Sequence, residues 1–277
     1  PLLLVSDKAG IIGPRAWCTL PGGGMMFLGQ AGFFELPPGG SGRPIERSKD
    51  RLPRELLNID TTVCQPMLAY DHENDRVMVF MSAESPYLYL PNGSVPHWFY
   101  DFRQDAFFPF KYAVEDNMMP LSLALHQPAG ERSPKILQGC YDGIFRFFSS
   151  DANGDYQRPN IDVPTSLPIE SKVLFGPFKS GEDVDTLLES ITATLGDPSA
   201  SVTWKVFVGD TSEEAFSNYK AGIAFTSGTW VAGRNGTELP MARGSSIFLL
   251  LSCLSTSPWE LEEIVAQWKP VGVHKKW

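Results

Sequence analysis

Tyr70-Asp71-His72-Glu73-Asn74-Asp75-Arg76-Val77 is echoed thirty residues later by Tyr100-Asp101-Phe102-Arg103-Gln104-Asp105-Ala106-Phe107. Both stretches read Tyr-Asp-x-x-x-Asp-x-apolar. A β-strand is expected to run into each turn, over 66–70 and 97–100, and another to leave it, over 76–81 and 107–112. The first Asp of each copy suits an Asx-turn, its carboxylate accepting from turn amides, and the second is expected to do the same on the far side. Pro91-Asn92-Gly93-Ser94 reads as the loop between the two hairpins. Four short strands in chain order then form one antiparallel meander.

The neighbouring sequence repeats the theme. Met25-Met26-Phe27-Leu28-Gly29-Gln30-Ala31-Gly32-Phe33-Phe34-Glu35-Leu36 reads strand, glycine turn, strand. Lys135-Ile136-Leu137-Gln138-Gly139-Cys140-Tyr141-Asp142-Gly143-Ile144-Phe145-Arg146-Phe147 reads the same way with one residue more in the turn. Successive four-stranded meanders mark a β-propeller, whose blades stack radially; a plain β-sandwich with similar hairpins is the alternative. Between these strands, 39–58 is a polar connector rich in Arg, Pro and Gly, with room for a helical turn over 52–59. Residues 149–168 read as loop.

Beyond residue 168 the texture changes to longer strands, at 173–175, 187–195, 202–208, 246–254 and 259–268. The segments 187–195 and 261–268 also fit a helical period, but Thr content and alternation favour strand. Thr211-Ser212-Glu213-Glu214 resembles a capping box opening one helical turn, and Asn235-Gly236 is a hairpin signal. The expected fold is therefore all-β. Propeller-like meanders occupy 1–168, and a β-sandwich-like, jelly-roll-like or propeller-closing segment occupies 169–277.

Composition agrees. The 277 residues allow one large domain or two modest ones. Gly 25 and Pro 23, with 12% aromatic residues, favour short strands and tight turns over long helices. The net charge of −9 argues against a protein that holds nucleic acid by neutralising phosphates. The longest apolar run, Ile247-Phe248-Leu249-Leu250-Leu251, is far short of the ~20 residues of a membrane span. Pro1-Leu2-Leu3-Leu4-Val5 lacks a basic n-region and a long apolar core, so no signal peptide is expected there. Without an initiator Met, the chain is expected to be a fragment, a processed product or part of something longer.

Chemical motifs are sparse. Cys18, Cys64, Cys140 and Cys253 lack metal-binding spacing and read as reduced core thiols. His72, His97, His126 and His274 have no HExxH or Cys/His pairing, so no zinc site is expected. No GxSxG, Walker or dinucleotide fingerprint occurs, and Gly22-Gly23-Gly24 reads as a turn rather than a phosphate cradle. Asp151-Ala152-Asn153-Gly154-Asp155-Tyr156-Gln157, with Asp162 in twelfth position, places oxygen donors at calcium-loop spacing. Tyr156 stands where such a loop turns on Gly, so an ordinary turn is the expectation. Asp71/Asp75 and Asp101/Asp105 resemble glycosidase pairs, but a catalytic pair should be unique, and these recur with the hairpin. Trp98, Phe99, Tyr100, Phe102, Phe107, Phe108 and Phe110 form an aromatic stripe expected in the core. If exposed, such rings, with Trp230, would stack sugars.

Taken with Gly10-Ile11-Ile12-Gly13-Pro14-Arg15-Ala16-Trp17, Phe27-Leu28-Gly29-Gln30-Ala31-Gly32-Phe33, Ala69-Tyr70-Asp71, His97-Trp98-Phe99-Tyr100-Asp101, Tyr141-Asp142-Gly143 and Trp259-Glu260-Leu261-Glu262-Glu263-Ile264, the chain resembles the β-propeller virion proteins of tailed bacteriophages. Ala31 departs from the Asp frequent in that family, and the chain begins mid-pattern. The resemblance implies a structural role without catalysis, cofactor or metal, located in the virion. The expected assembly is an oligomeric ring around the DNA passage in the tail or head–tail junction. Its partners would be copies of itself and other tail or connector proteins, with no stable nucleic-acid binding and no membrane. The alternative is a carbohydrate-binding, receptor-recognising tail module. Acidic residues lining such a ring would repel phosphates and let DNA slide. The basic cluster Arg43, Arg47, Lys49, Arg51 and Arg54 is expected to meet acidic neighbours instead.

Overall fold

A computed structural model describes residues 9–39, 42–57, 59–83, 97–112, 118–148, 154–157, 165–181 and 184–273. The protein is all-β, with antiparallel sheets of which none closes into a barrel. The chain divides into two compact units, Pro1–Ala152 and Asn153–Trp277.

The first unit is a series of sequence-local meanders. β1 (Trp17–Thr19), β2 (Met25–Gly29), β3 (Gly32–Leu36) and β4 (Ile45–Glu46) pair in chain order. α1 (Arg54–Leu57) follows. β5 (Cys64–Asp71), β6 (Arg76–Ala83), β7 (His97–Asp101) and β8 (Ala106–Phe110) again pair in chain order, forming the meander that the two Tyr-Asp hairpins predict. β9 (Pro120–His126), β10 (Lys135–Cys140) and β11 (Phe145–Phe147) make a three-stranded third. The first meander has two strands more than the sequence signalled. β1 and β4 are three and two residues long, too short to show a period.

The middle meander is covered on both faces. Successive strand residues point to opposite faces, and here they enter two different cores. Leu68, Tyr70, Val77, Val79, Met81 and Tyr100 pack with Ala16, Met26, Leu28 and Phe33 of the first meander. The intervening Met67, Ala69, Met78 and Phe80 pack with Ile136, Leu123 and Phe148 of the third. That explains the unbroken apolar run Val77-Met78-Val79-Phe80-Met81, in which every residue is buried. A strand with one wet face would alternate.

The second unit comprises β12 (Gly154–Gln157), β13 (Thr165–Phe178), β14 (Val184–Leu195), β15 (Val202–Gly209), α2 (Ser212–Ala221), β16 (Thr226–Trp230), β17 (Gly233–Arg234), β18 (Ala242–Gly244), β19 (Ser246–Ser255) and β20 (Leu261–Val273). One sheet has the order β12-β13-β19-β15-β16. In the other, β14 is central, with β17 and β18 along one edge and β20 along the opposite edge. Leu188, Ile191, Ala193 and Leu195 from β14 meet Trp204, Val206, Ile247, Leu249 and Leu251 between the sheets. α2 covers the reverse side of the first of these sheets, through Ala215 and Tyr219 against Phe207, Phe248 and Leu250.

Both helix-or-strand ambiguities resolve to strand, as β14 and β20. Three expectations change. The stretch 149–168, read as loop, contains β12 and the start of β13, whose pairing puts residues 154–157 in the second unit. The capping box opens a ten-residue helix rather than one turn. Thr211 accepts from the Glu214 amide at 3.1 Å, the Glu214 carboxylate accepts from the Asp210 amide at 2.8 Å, and Gly222 ends the helix at φ 72°. Asn235-Gly236 does not join two paired strands. The Asn235 side chain instead closes its own loop, accepting from the Val231 amide at 2.9 Å and donating to the Val231 carbonyl at 2.8 Å.

Candidate functional site

The two Tyr-Asp turns are the same device built twice. Tyr70 pairs with Val77 and Asp71 with Arg76; Tyr100 pairs with Phe107 and Asp101 with Ala106. Asp71 accepts from the Glu73 amide at 3.0 Å, and Asp101 from the Arg103 and Gln104 amides at 2.8 and 3.0 Å. These are the expected Asx-turns. The second Asp does something else. Asp75 and Asp105 adopt left-handed backbone, φ 56° and 49°, and each accepts a hydrogen bond from the buried tyrosine that opens its hairpin. Burial, and then the bond to the carboxylate, push both tyrosine hydroxyls well above their usual range. Tyr100 in turn holds Asp105 below the ordinary carboxylate range.

This bonding pattern ties the hairpin carboxylates to their own turns. Asp71, nearly buried, is also held by Arg76 Nε at 2.9 Å and Asn74 Nδ2 at 2.9 Å. The third turn follows suit. Asp142 accepts from the Ile144 amide at 3.0 Å and pairs with both terminal nitrogens of Arg146, at 2.8 and 2.6 Å. Arg146, and then the amide bond, hold the Asp142 carboxyl below its usual range.

The basic connector also turns inward on acids. Arg47 reaches Glu35 at 2.7 Å through Nε, and Arg51 reaches Asp105 at 3.0 Å. His97 is buried, and its Nδ1 accepts from the Met81 amide at 3.0 Å. The four cysteines are buried and none forms a disulfide; burial pushes the Cys18 and Cys64 thiols up to about 12. Among the described residues no group of three or more His, Cys, Asp or Glu could hold a metal ion. Residues 151–153 and Asp162 of the calcium-spaced loop lie outside the described residues. Gly154 to Gln157 form β12. No helix among the described residues is long and apolar enough to cross a membrane.

Of the aromatic stripe only Tyr100 is fully buried; Trp98, Phe99, Phe102, Phe107, Phe108 and Phe110 are half-buried, and all of these but Phe108 pack against a core. Tyr100, Trp98, Phe102 and Phe107 pack with the first meander, and Phe99 and Phe110 with the third. Trp230, offered above as a sugar-stacking ring if exposed, is 1% exposed and packs against Trp204 in the second unit. Exposed rings occur elsewhere. Phe145 and Phe147 of β11 are 71% and 51% exposed. Their partners Gly139 and Leu137, and Ala124 beyond Leu137, share that face, while Ile136 and Leu123 face the inner core. The third meander thus carries exposed apolar side chains on the face turned away from the middle meander. Phe145 and Phe147 flank Arg146, so the sequence places both rings on one face but does not say whether that face is covered.

The second unit holds a cleft of about 420 Å³ lined by Lys179, Ser180, Gly181, Asp210, Thr211, Ser245 and Ser246. Its hydroxyls are engaged. Ser246 bonds Ser212 at 3.1 Å, Ser245 donates to Asp185 at 3.2 Å, and Thr211 caps α2. No nucleophile–base pair is formed among these lining residues. No protein-family model matches this sequence, and no curated protein matches it either.

Proposed function

We propose that this chain is a structural protein of a tailed-bacteriophage virion. In this reading the meanders of the first unit are β-propeller blades and the second unit is a jelly-roll-like sandwich. Copies assemble as a ring around the DNA passage, in the tail or at the head–tail junction, against other tail or connector proteins. One observation carries the reading: consecutive meanders stack face on face, and the third leaves Phe145 and Phe147 exposed on its far face. An uncovered face of this kind favours contact with another chain. The engagement of the hairpin carboxylates in turns supports a role without catalysis. The carbohydrate-binding alternative is the weaker reading, because Trp230 and Tyr100 are buried and Trp98, Phe99, Phe102, Phe107 and Phe110 are half-buried against the cores.

Native mass spectrometry of the full chain, with imaging of purified particles, tests the proposal. A closed oligomer that is present in virions is the expected result. A stable monomer absent from virions overturns it.

A further inference from the structure

Among the described residues β20 is the outermost strand of its sheet. β14 pairs with one edge, and among the described residues no strand pairs with the other. The polarity of that open edge follows from the far side of β14. Ile191 donates to the Glu238 carbonyl at 3.0 Å and accepts from the Glu238 amide at 2.9 Å, and the Ala193 carbonyl accepts from the Asn235 amide at 3.0 Å. These groups point away from β20. Ile191 lies opposite Ala266, and Ala193 opposite Ile264. Both are therefore non-hydrogen-bonded pairs, and Ala266 and Ile264 direct their own N–H and C=O to the open edge. Such an edge is a template for another strand.

The side chains say which strand fits. From Glu263 to Lys269 the strand is regular, the one skipped residue, Glu189, being on β14. Antiparallel pairing of two β20 strands centred on Ala266 sets Glu263 opposite Lys269 of the second copy, and does so twice by symmetry. It also sets Ile264 opposite Trp268 and Val265 opposite Gln267. Opposite charges facing each other across strands stabilise pairing, and like charges oppose it. Val265 and Trp268, 44% and 45% exposed, would gain cover. Pro270, without an N–H to give, closes the window beside Lys269.

We infer that β20 is a self-association edge: two copies of this chain join by antiparallel β20 pairing about a two-fold axis through Ala266. The contact does not depend on the virion reading. It makes one continuous sheet from two chains, with Glu263 and Lys269 setting the register.

Sedimentation of the full chain over a concentration series tests this with four variants. Glu263→Lys sets like charges opposite each other twice, and roughly tenfold weaker dimerisation is expected. Ala266→Pro removes an outward N–H that no strand among the described residues pairs with, and it should abolish the dimer. Lys269→Glu also sets a carboxylate beside Glu189, whose side chain pairs with Lys269, so it serves only in the double variant. E263K/K269E should recover dimerisation to within about threefold of wild type. Far-UV circular dichroism checks that each variant is folded. A wild type that stays monomeric overturns the inference. So does self-association that ignores Glu263→Lys and Ala266→Pro. An oligomer lost only on Phe145→Asp would sink the β20 edge while leaving the stacked-meander reading standing.

Discussion

The Tyr70 hydroxyl donates a 2.5 Å hydrogen bond to Asp75 Oδ1, fastening the first strand of a hairpin to the left-handed residue that ends its turn. Tyr100 and Asp105 repeat the bond at 2.6 Å. One contact thus fixes turn geometry and strand register together, and the same two residue types recur at the same spacing.

Removing that bond should loosen the middle meander. Tyr70→Phe keeps the ring in its core and deletes the donor to a carboxylate, at a cost of about 1–3 kcal/mol. At Asp75 the expected order of loss is Ala first, then Gly, then Asn. Ala forfeits the bond and tolerates positive φ poorly, Gly forfeits only the bond, and Asn keeps an acceptor and tolerates the backbone. Urea denaturation monitored by tryptophan fluorescence measures the series.

Acid should weaken the third meander through Asp142. Its folded pKa lies below the unfolded one, because Arg146 and the Ile144 amide favour the charged form. Between the two values the unfolded chain binds more protons, so stability falls as pH falls. The contribution is complete above the unfolded value, near 3.9 for an ordinary Asp, and is lost on descending through the folded one. Melting temperature recorded from pH 6 to pH 2 should fall less steeply in Asp142→Asn than in wild type over the acid end of the range.

Two phenylalanines should part company. Phe80 is fully buried between the middle and third meanders, against Phe110 and Phe148, and Phe80→Ala should cost about 3–5 kcal/mol. Phe145 is exposed, so Phe145→Ser should change monomer stability by less than about 0.5 kcal/mol. Chemical denaturation of both variants gives the contrast, and a closely similar loss in the two would contradict the burial pattern.

The thiols should be silent in the native protein. Cys18 and Cys64, with pKa values raised to about 12 by burial, hold almost no thiolate at neutral pH. Ellman's reagent at pH 7.5 should titrate neither in the folded chain and both in guanidinium chloride. Prompt native reaction at either residue would show a local opening of that core.

Duplex DNA should not bind at physiological salt. The net charge is −9, and Arg47 and Arg51 of the basic connector are occupied by Glu35 and Asp105. Fluorescence anisotropy with labelled duplex reads this directly. Micromolar affinity that falls steeply with salt would mean that enough cations remain free to displace phosphate counterions.

What the sequence determined by itself was local. Tyr-Asp hairpins, glycine turns, the alternation in β14 and the capping box all rest on contacts within a few residues, so spacing alone reveals them. The middle meander was legible for that reason, and so was the strand character of Leu187 to Leu195. Only the tertiary structure decided the rest. β4 lies in a polar connector and is a strand because Glu46 and Ile45 meet Phe34 and Glu35. Trp230 is interior because it shares one core with Trp204 of the neighbouring strand and with Ile191 and Leu195 of the second sheet, which no period within Thr226 to Trp230 announces. By spacing Asp75 reads as a second turn acceptor, and in the fold it accepts from the Tyr70 hydroxyl. The same holds for function. Whether Phe145 faces a core or solvent, and whether the edge of β20 is paired, depend on which sheets cover which. That is set by long-range packing, and a local pattern of apolar and polar residues is the same in either case.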